Sequence, residues 1–390
     1  MVQPQAQSHA STQDPSIDAL AVPPEAGRPF RPGSDRVLAI DGLRGVAAFL
    51  VVLYHLHGAV SRSASGWLWA PLEWTAQNGF LGVDIFFVIS GYVIALSVNK
   101  GAPTPAYFGR FIVRRSIRLD PPYWAAILLE LLLIYLSMRL FPELTVKMVS
   151  TPQVLAHLAY AQELLGYGSI VDAFWTLCYE IQFYAFFVGL VVLHAMLPAR
   201  LRAQFLTVLF CSMLFGISLW TRYWPPAALP QGLAINRWFQ FFIGVLTWRA
   251  VAARGRDKPL IASWVALVAA VLASRAPASQ LLAIVVSALL MMSAKDPRWG
   301  RALSVRPLTF LGMISYSTYL FHSSVGWRFV SLLQRLAPGG WSGPMAVGVY
   351  LLAIVFSIGF SAAMWWLIER PCLQLCQRVR LPRRAHAAAR

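Results

Sequence analysis

Apolar runs close to 20 residues long recur along the whole of this 390-residue chain. A helix needs about 20 consecutive apolar residues to cross the hydrocarbon core of a bilayer. Hydrophobic residues make up 58% of the chain and charged residues 13%, a balance that excludes an ordinary soluble domain. The chain is therefore predicted to be an all-α, polytopic integral membrane protein.

The apolar runs predict about ten transmembrane helices. They lie at approximately 37–58, 79–99, 122–141, 174–196, 203–221, 232–252, 260–275, 278–293, 308–334 and 344–368. The seventh and eighth are short and could instead form a re-entrant pair. Of the 33 Lys and Arg residues, 24 lie in or beside the termini and the even-numbered connections, and five lie in the odd-numbered connections. This asymmetry predicts that both termini are cytoplasmic.

Three regions are expected along the chain. Residues 1–35 are rich in Pro, Ala, Gln and Ser and predict a disordered cytoplasmic leader. Residues 36–375 form the membrane domain, and 376–390 form a basic cytoplasmic tail. The net charge of +17 does not indicate nucleic-acid binding, because the basic residues lie between the apolar runs rather than on one face. Cys372 and Cys376 alone make a poor zinc site, so no metal site is predicted.

The first apolar run contains Arg44 and His55, eleven positions apart. At about 100° per residue, both side chains lie on one helix face, roughly 16 Å apart. Asp41 lies close to the same stripe. Ionisable residues inside membrane helices are costly and usually functional, so this face is expected to point into the protein.

Four ionisable residues fall at a similar predicted depth, within roughly 10 Å of the outer boundary. They are His55, Asp84, Glu180 and Arg237. Carboxylates beside an imidazole keep it basic and oriented, as a general base requires. The alternative is a buried salt-bridge network that fixes helix packing.

Two other histidines, His57 and His322, also lie in predicted spans. His57 is about 200° from His55 around the helix and is expected to face elsewhere. His322, midway through the ninth predicted span, is the reserve candidate for the base.

A basic segment follows the second predicted span. Arg110, Arg114 and Arg118 repeat every four residues along one helix face, with Arg115 beside them. The Pro-Pro pair at 121–122 is expected to end this segment. The arginines suit either anionic lipid headgroups or a polyanionic ligand such as a phosphorylated cofactor.

Six sequence blocks together carry a family resemblance. In chain order they are IDGLRGVAAFLVVLYH, GVDIFFVISGYVI, RRSIRLDPPYW, FWTLCYEIQFY, ISYSTYLFH and IERP. This ordered set resembles the membrane acyltransferase 3 family, over about residues 36–375. Members are bacterial integral-membrane O-acyltransferases that acylate surface polysaccharides, lipopolysaccharide O-antigens and related acceptors.

The resemblance implies transfer of an acyl group, most often acetyl, from cytoplasmic acyl-CoA to a hydroxyl at the outer face. The acceptor would be a carbohydrate or glycolipid, and the protein would lie among the lipids of the bacterial cytoplasmic (inner) membrane. Acyl-CoA would be a co-substrate, and no permanently bound cofactor is expected. Oligomeric state is left open.

Residues and resemblance together predict a site with three parts. The predicted residues are His55, Asp84 and Glu180 for catalysis, Arg44, Arg114, Arg115 and Arg118 for the donor, and Trp175, Arg237 and Tyr184 for the acceptor. In this hypothesis His55 is the general base, held by Asp84 or Glu180. Ser90 could be a nucleophile or a packing residue, and direct transfer and an acyl-enzyme both remain open.

Other functions share some of these features. A proton-coupled transporter would also need intramembrane charges, although no similar halves are visible in the sequence. A non-catalytic scaffold would not need charges gathered at one depth. Acylation of a small molecule such as a macrolide is a third alternative.

Overall fold

The part of the chain that the structure describes consists of helices and the turns and irregular segments that join them. This structure, a computed structural model, describes residues 34–64, 66–99, 101–142, 148–198, 211–212, 214–218, 232–233, 235, 237–252, 278–337 and 339–382. No β-strand occurs within these ranges. The prediction of an all-α protein is confirmed for them. The predicted leader lies almost entirely outside the described residues, as do the last eight residues of the predicted tail.

The described ranges include thirteen α-helices, numbered here in chain order. They are α1 (Ser34–Val60), α2 (Ala70–Gln77), α3 (Gly82–Asn99), α4 (Pro105–Leu140), α5 (Thr151–Leu158), α6 (Trp175–Met196), α7 (Trp238–Ala252), α8 (Ala278–Lys295), α9 (Pro297–Leu303), α10 (Arg306–Met313), α11 (Ser315–Leu336), α12 (Gly343–Met364) and α13 (Arg370–Gln377). Short 3₁₀ turns at Gly79–Leu81 and Asp172–Phe174 precede α3 and α6. A π-helical turn, Trp365–Glu369, joins α12 to α13.

Six of the described helical segments are long and apolar enough to cross a membrane. They are Leu38–Val60, Gly79–Asn99, Pro105–Leu140, Asp172–Met196, Ala278–Lys295 and Gly343–Gln377. Each overlaps a predicted span, and together they make this a multi-pass membrane protein. The predicted span at 260–275 and most of that at 203–221 lie outside the described residues. The total of ten spans and the orientation of the termini therefore stay predictions.

Two predicted boundaries are wrong. The basic segment does not end at the Pro-Pro pair, because α4 continues through Pro121 and Pro122 for 36 residues in all. Proline is tolerated in a membrane helix because neighbouring helices and local adjustments can satisfy the freed backbone groups. Here α11 packs against this turn, and the Tyr316 hydroxyl donates to the Leu119 carbonyl (2.8 Å). The ninth predicted span is broken at Ile314, which lets α10 lie across α1 before α11 begins.

Close backbone approaches at glycines set the spacing of the bundle around α3. A Cβ built on Gly91 of α3 would lie 1.9 Å from the carbonyl oxygen of Phe241 in α7. A Cβ on Gly244 of α7 would lie 2.0 Å from the carbonyl oxygen of Val88 in α3. Small residues at helix crossings allow such contact in membrane proteins. This crossing fixes the helix that carries Asp84 and Ser90.

Gly91→Ala is expected to lower the free energy of unfolding of the detergent-solubilised protein by about 1–3 kcal/mol, and its melting temperature with it. The reason is that the new methyl group overlaps a backbone oxygen that cannot move alone. Gly359→Ala in α12 is the matched control, since a Cβ there meets nothing within 4 Å. Alanine favours helix over glycine, so the control should unfold at the wild-type temperature or higher. Equal melting temperatures for the two variants would contradict this packing.

The connection after α4 packs into the helix bundle rather than lying over its surface. The Tyr160 ring stacks on Tyr123 at 4.7 Å between centroids, and its hydroxyl donates to Asp120 Oδ1 (3.0 Å). Burial and the neighbouring Asp120 carboxylate raise the pKa of the Tyr160 hydroxyl, so it stays a donor. Gln162 donates to the carbonyl of Phe174 and so ties this connection to the start of α6.

Candidate active site

Two cavities lie side by side between the helices, and most of the predicted site residues line one or the other. The smaller, of about 90 Å³, is here called the arginine cavity, because Arg44, Arg115 and Arg118 line it. The larger, of about 650 Å³, is called the histidine cavity, because His55 and His57 line it. Since Arg44 and His55 both belong to α1, one face of this helix serves both cavities.

The arginine cavity collects positive charge from α1 and α4. Arg115 places its guanidinium 4.4 Å from the centre of the Tyr184 ring, a cation–π contact. Arg118 Nε is buried and has no hydrogen-bond partner among the described residues. Arg114 does not line this cavity. A ligand with several anionic oxygens would satisfy these guanidinium groups.

Glu180, Ser90 and Tyr184 form a hydrogen-bonded cluster on the wall of the arginine cavity. Ser90 Oγ donates to Glu180 Oε1 (2.7 Å), and the Tyr184 hydroxyl donates to the same carboxylate oxygen. The Ser90 proton is therefore directed at a carboxylate that already accepts a second bond. This geometry links α3 to α6 beside the arginines.

The histidine cavity contains the other predicted charges. Asp84 is buried, accepts from the Gln240 amide, and lies 3.8 Å from Arg237 Nη1. Arg237 also stands over the Trp175 ring, 5.6 Å from its centre. Asp84, Trp175 and Arg237 thus meet on one wall of the cavity, as a polar surface with an aromatic platform.

His55 is paired with His322 of α11. The His55 Nδ1 and His322 Nε2 atoms are 3.1 Å apart, and the ring centres are 4.9 Å apart. His322 is completely buried. Its Nδ1 lies 2.8 Å from the Thr318 carbonyl oxygen and 3.1 Å from that of Tyr319, so Nδ1 carries the proton and Nε2 is the acceptor.

This bonding also assigns the tautomer of His55. Its Nδ1 faces the Val51 carbonyl oxygen at 3.0 Å as well as His322 Nε2, and both of these groups accept. Nδ1 is therefore the protonated nitrogen in the neutral pair. The lone pair is left on Nε2, which bonds to no described residue, on a ring that lines the histidine cavity. Such a nitrogen can accept a proton from a bound hydroxyl.

Neither Asp84 nor Glu180 hydrogen-bonds to His55, which differs from the predicted arrangement. Glu180 lines the arginine cavity instead of sharing a layer with His55. Counting residues from the start of a span gives depth only if every span starts at the boundary. The start of α6 is covered by the connection before it, whose Asp172 reaches the histidine cavity.

Several contacts were missed because they join distant parts of the chain. Asp172 lies near enough to interact electrostatically with His55. Glu369, in the IERP block, is buried and accepts from the Ser317 amide (3.0 Å) and hydroxyl (2.6 Å). An ionisable residue at the end of an otherwise apolar span was the sequence feature that could have marked Glu369 as a candidate site residue. His57 was expected to face elsewhere, but it lines the same cavity as His55. It contacts different residues, with Nε2 3.8 Å from Glu73 Oε1 and its ring stacked on Trp67.

Comparison with known proteins adds a family match. The profile of the acyltransferase 3 family, described as an acyltransferase domain, matches residues 37–366. The provisionally named membrane-bound transacylase BcsY of Komagataeibacter xylinus is 29% identical over 373 residues, which cover 90% of this chain and 86% of that protein. No solved structure shows a significant match.

Two further relatives have names that mention polysaccharides or peptidoglycan. The exopolysaccharide production protein ExoZ of Rhizobium meliloti is 28% identical over 322 residues, 76% of this chain and 90% of that protein. The peptidoglycan O-acetyltransferase OatA of Listeria monocytogenes is 31% identical over 160 residues, 38% of this chain and 23% of that protein. The similarity thus extends over nearly all of ExoZ but over about a quarter of OatA.

Proposed function

This chain belongs to the acyltransferase 3 family and is an O-acyltransferase, and from that premise we propose that it transfers an acetyl group from cytoplasmic acetyl-CoA to a hydroxyl of a cell-surface polysaccharide. The names of ExoZ and OatA support an acceptor of this class. The bacterial cytoplasmic membrane would hold the protein. Donor and acceptor would then approach from opposite faces.

The observation that carries the proposal is that α1 presents a cationic side chain to one cavity and an imidazole to the other. Arg44 lines the arginine cavity and His55 lines the histidine cavity. Eleven residues of helix separate them by about 16 Å. The pantetheine arm of CoA is about as long as an extended tetrapeptide, ~14 Å. Phosphates bound near Arg44, Arg115 and Arg118 would therefore bring the thioester close to His55.

The reaction follows from the tautomer of His55. The acceptor hydroxyl gives its proton to His55 Nε2 as its oxygen attacks the thioester carbonyl carbon. Collapse of the tetrahedral intermediate forms the ester and breaks the carbon–sulfur bond, and the CoA thiolate takes the proton back from His55. His322 holds the Nδ1–H of His55 throughout, so that Nε2 remains the exchanging nitrogen.

The wall formed by Asp84, Trp175 and Arg237 suits a carbohydrate acceptor. A sugar ring can pack its apolar face on an indole ring while its hydroxyls bond to charged groups. Asp172 adds a second carboxylate to this cavity. The sides of the cavity thus offer both of the contacts that a polyhydroxylated ring needs.

Incubating membranes that contain the protein with radiolabelled acetyl-CoA and peptidoglycan fragments or exopolysaccharide oligosaccharides tests this function. Free CoA and an alkali-labile acetyl ester should appear together and in equal amounts. Membranes without the protein are the control. Labelled acetyl transfer to neither acceptor by folded protein would contradict the proposal.

Arg118→Gln is expected to raise the KM for acetyl-CoA by about 10-fold to 10²-fold, because a hydrogen bond to a charged group contributes about 1.5–3 kcal/mol. Arg115→Gln should act in the same direction. Arg114→Gln is the matched control, since Arg114 is adjacent in the chain but does not line the arginine cavity. The same KM for all three variants would favour general attraction to anionic lipid instead.

A further inference from the structure

The arginine cavity and the histidine cavity adjoin at two shared lining residues, here called the partition. Val83 of α3 and Tyr319 of α11 line both cavities. The partition therefore consists of side chains from two helices that belong to distant parts of the sequence. A ligand that occupies both cavities at once would lie against these two side chains.

Hydrogen bonds hold the Tyr319 side of the partition in place. The Tyr319 hydroxyl lies 2.6 Å from Thr176 Oγ1 and 2.8 Å from the Ala173 carbonyl oxygen. Thr176 lines the arginine cavity and Ala173 lines the histidine cavity. Phe86 contacts the Tyr319 ring edge to face, with centres 5.8 Å apart. Tyr319 is thus fixed at its hydroxyl and along its ring.

The Val83 side of the partition is also stiff. A β-branched residue in a helix has one strongly preferred χ1 rotamer. The two methyl groups of Val83 therefore cannot turn away as a longer, unbranched side chain would. A passage between Val83 and Tyr319 would therefore be bounded by two side chains with little freedom.

We propose that Val83 and Tyr319 form a constriction that the acyl thioester crosses to reach His55, and that its width selects unbranched acyl groups. The proposal rests on the proposed function, in which the CoA phosphates lie in the arginine cavity. A linear acyl chain is no thicker than the pantetheine arm that follows it. A branched acyl group is thicker than its linear isomer by one methyl branch. The acyl group reaches the constriction before the pantetheine arm does.

Butyryl-CoA and isobutyryl-CoA are suitable probes, because they have the same atoms and differ in branching alone. Wild-type protein is expected to use butyryl-CoA well and isobutyryl-CoA poorly. Val83→Ala should raise the ratio of kcat/KM for isobutyryl-CoA over butyryl-CoA by about 10-fold or more, since one methylene in a tight site changes discrimination by 10-fold to 200-fold. Val83→Ile should lower this ratio.

Val355→Ala is the control for the same change elsewhere in the membrane domain, because Val355 is exposed on the outside of α12. Its ratio should equal that of the wild type. Tyr319→Phe removes the hydroxyl that Thr176 and Ala173 hold, and it should raise the ratio as Val83→Ala does. If Val83→Ala does not fold, Tyr319→Phe and Val83→Ile together test the proposal.

The outcomes separate the two proposals. Wild-type protein that releases no CoA from any acyl-CoA would overturn the proposed function, and the constriction with it. Active wild-type protein whose donor ratio is unchanged in the folded Val83 and Tyr319 variants would overturn the constriction alone. Opposite shifts in Val83→Ala and Val83→Ile would support it, because general damage to the fold would not reverse direction with side-chain size.

Discussion

Replacing His55 by alanine or glutamine is expected to lower the rate of acyl transfer about 10²-fold to 10⁴-fold, the usual cost of losing a general base. The reason is that His55 Nε2 holds the lone pair available to an acceptor hydroxyl in the histidine cavity. The KM for acetyl-CoA should change little, because the donor phosphates lie in the other cavity. Initial rates at saturating acetyl-CoA, corrected for the amount of folded protein, measure the effect.

His194→Gln is the matched control for this substitution. His194 lies in the last turn of α6 and lines neither cavity. It should retain the wild-type rate. Substantial acyl transfer by both folded His55 variants would remove His55 from the mechanism, and His322 would then be the next residue to test.

His322→Leu is expected to lower kcat about 10²-fold, because a misplaced catalytic group loses about this much. Leucine cannot accept the Nδ1–H of His55, which leaves this proton with the Val51 carbonyl oxygen alone and the imidazole with more freedom to rotate or change tautomer. His322→Gln should recover most of the rate, since its amide oxygen can accept from His55 while its NH₂ group donates to the Thr318 carbonyl oxygen. Rates, KM and melting temperature should be measured for both variants.

The comparison separates a positioning role from a structural one. A positioning role predicts that leucine and glutamine differ in kcat while the KM for acetyl-CoA stays near the wild-type value. Equal rates in the two variants, tracking a shared loss of melting temperature, would show that His322 contributes to packing alone. Nitrogen-15 spectra of labelled histidine should also show the Nδ1–H tautomer of His55 in the wild type. In His322→Leu they should show a mixture of the Nδ1–H and Nε2–H tautomers.

The parts of the fold that depend on one helix at a time could be predicted from the sequence. Six apolar segments overlap predicted spans because length and composition determine membrane crossing. The shared face of Arg44 and His55 follows from helical periodicity, and both residues line cavities. Arg44, Arg115 and Arg118 also meet, as the hypothesis of one anionic ligand requires.

The parts that depend on contacts between helices could not be predicted. His55 and His322 are 267 residues apart in the chain, and nothing in their spacing indicates a hydrogen bond. Glu180 contacts Ser90 rather than His55, because positions within single spans do not indicate which helices are neighbours. The predicted end of the basic segment is wrong, because proline usually ends a helix but is tolerated inside a membrane helix, and α4 continues through both prolines.

The intramembrane charges are also compatible with a transporter or a scaffold, and the family match distinguishes these alternatives from an enzyme. Membership of the acyltransferase 3 family establishes an enzyme rather than a proton-coupled transporter or a scaffold. An ion pair of the kind that a scaffold would use is also present: Arg328 donates two hydrogen bonds, of 2.7 Å and 3.0 Å, to the buried Glu130 carboxylate. This pair joins α11 to α4 away from both cavities.

Acyl transfer across a sealed vesicle tests the central claim most directly. The purified protein would be reconstituted in liposomes with peptidoglycan fragments or exopolysaccharide oligosaccharides inside and radiolabelled acetyl-CoA outside. The account predicts acetyl esters on the enclosed acceptor and free CoA outside with the wild type, and neither with His55→Ala. Esters formed equally by His55→Ala, or folded wild-type protein that transfers no label to either acceptor, would contradict it.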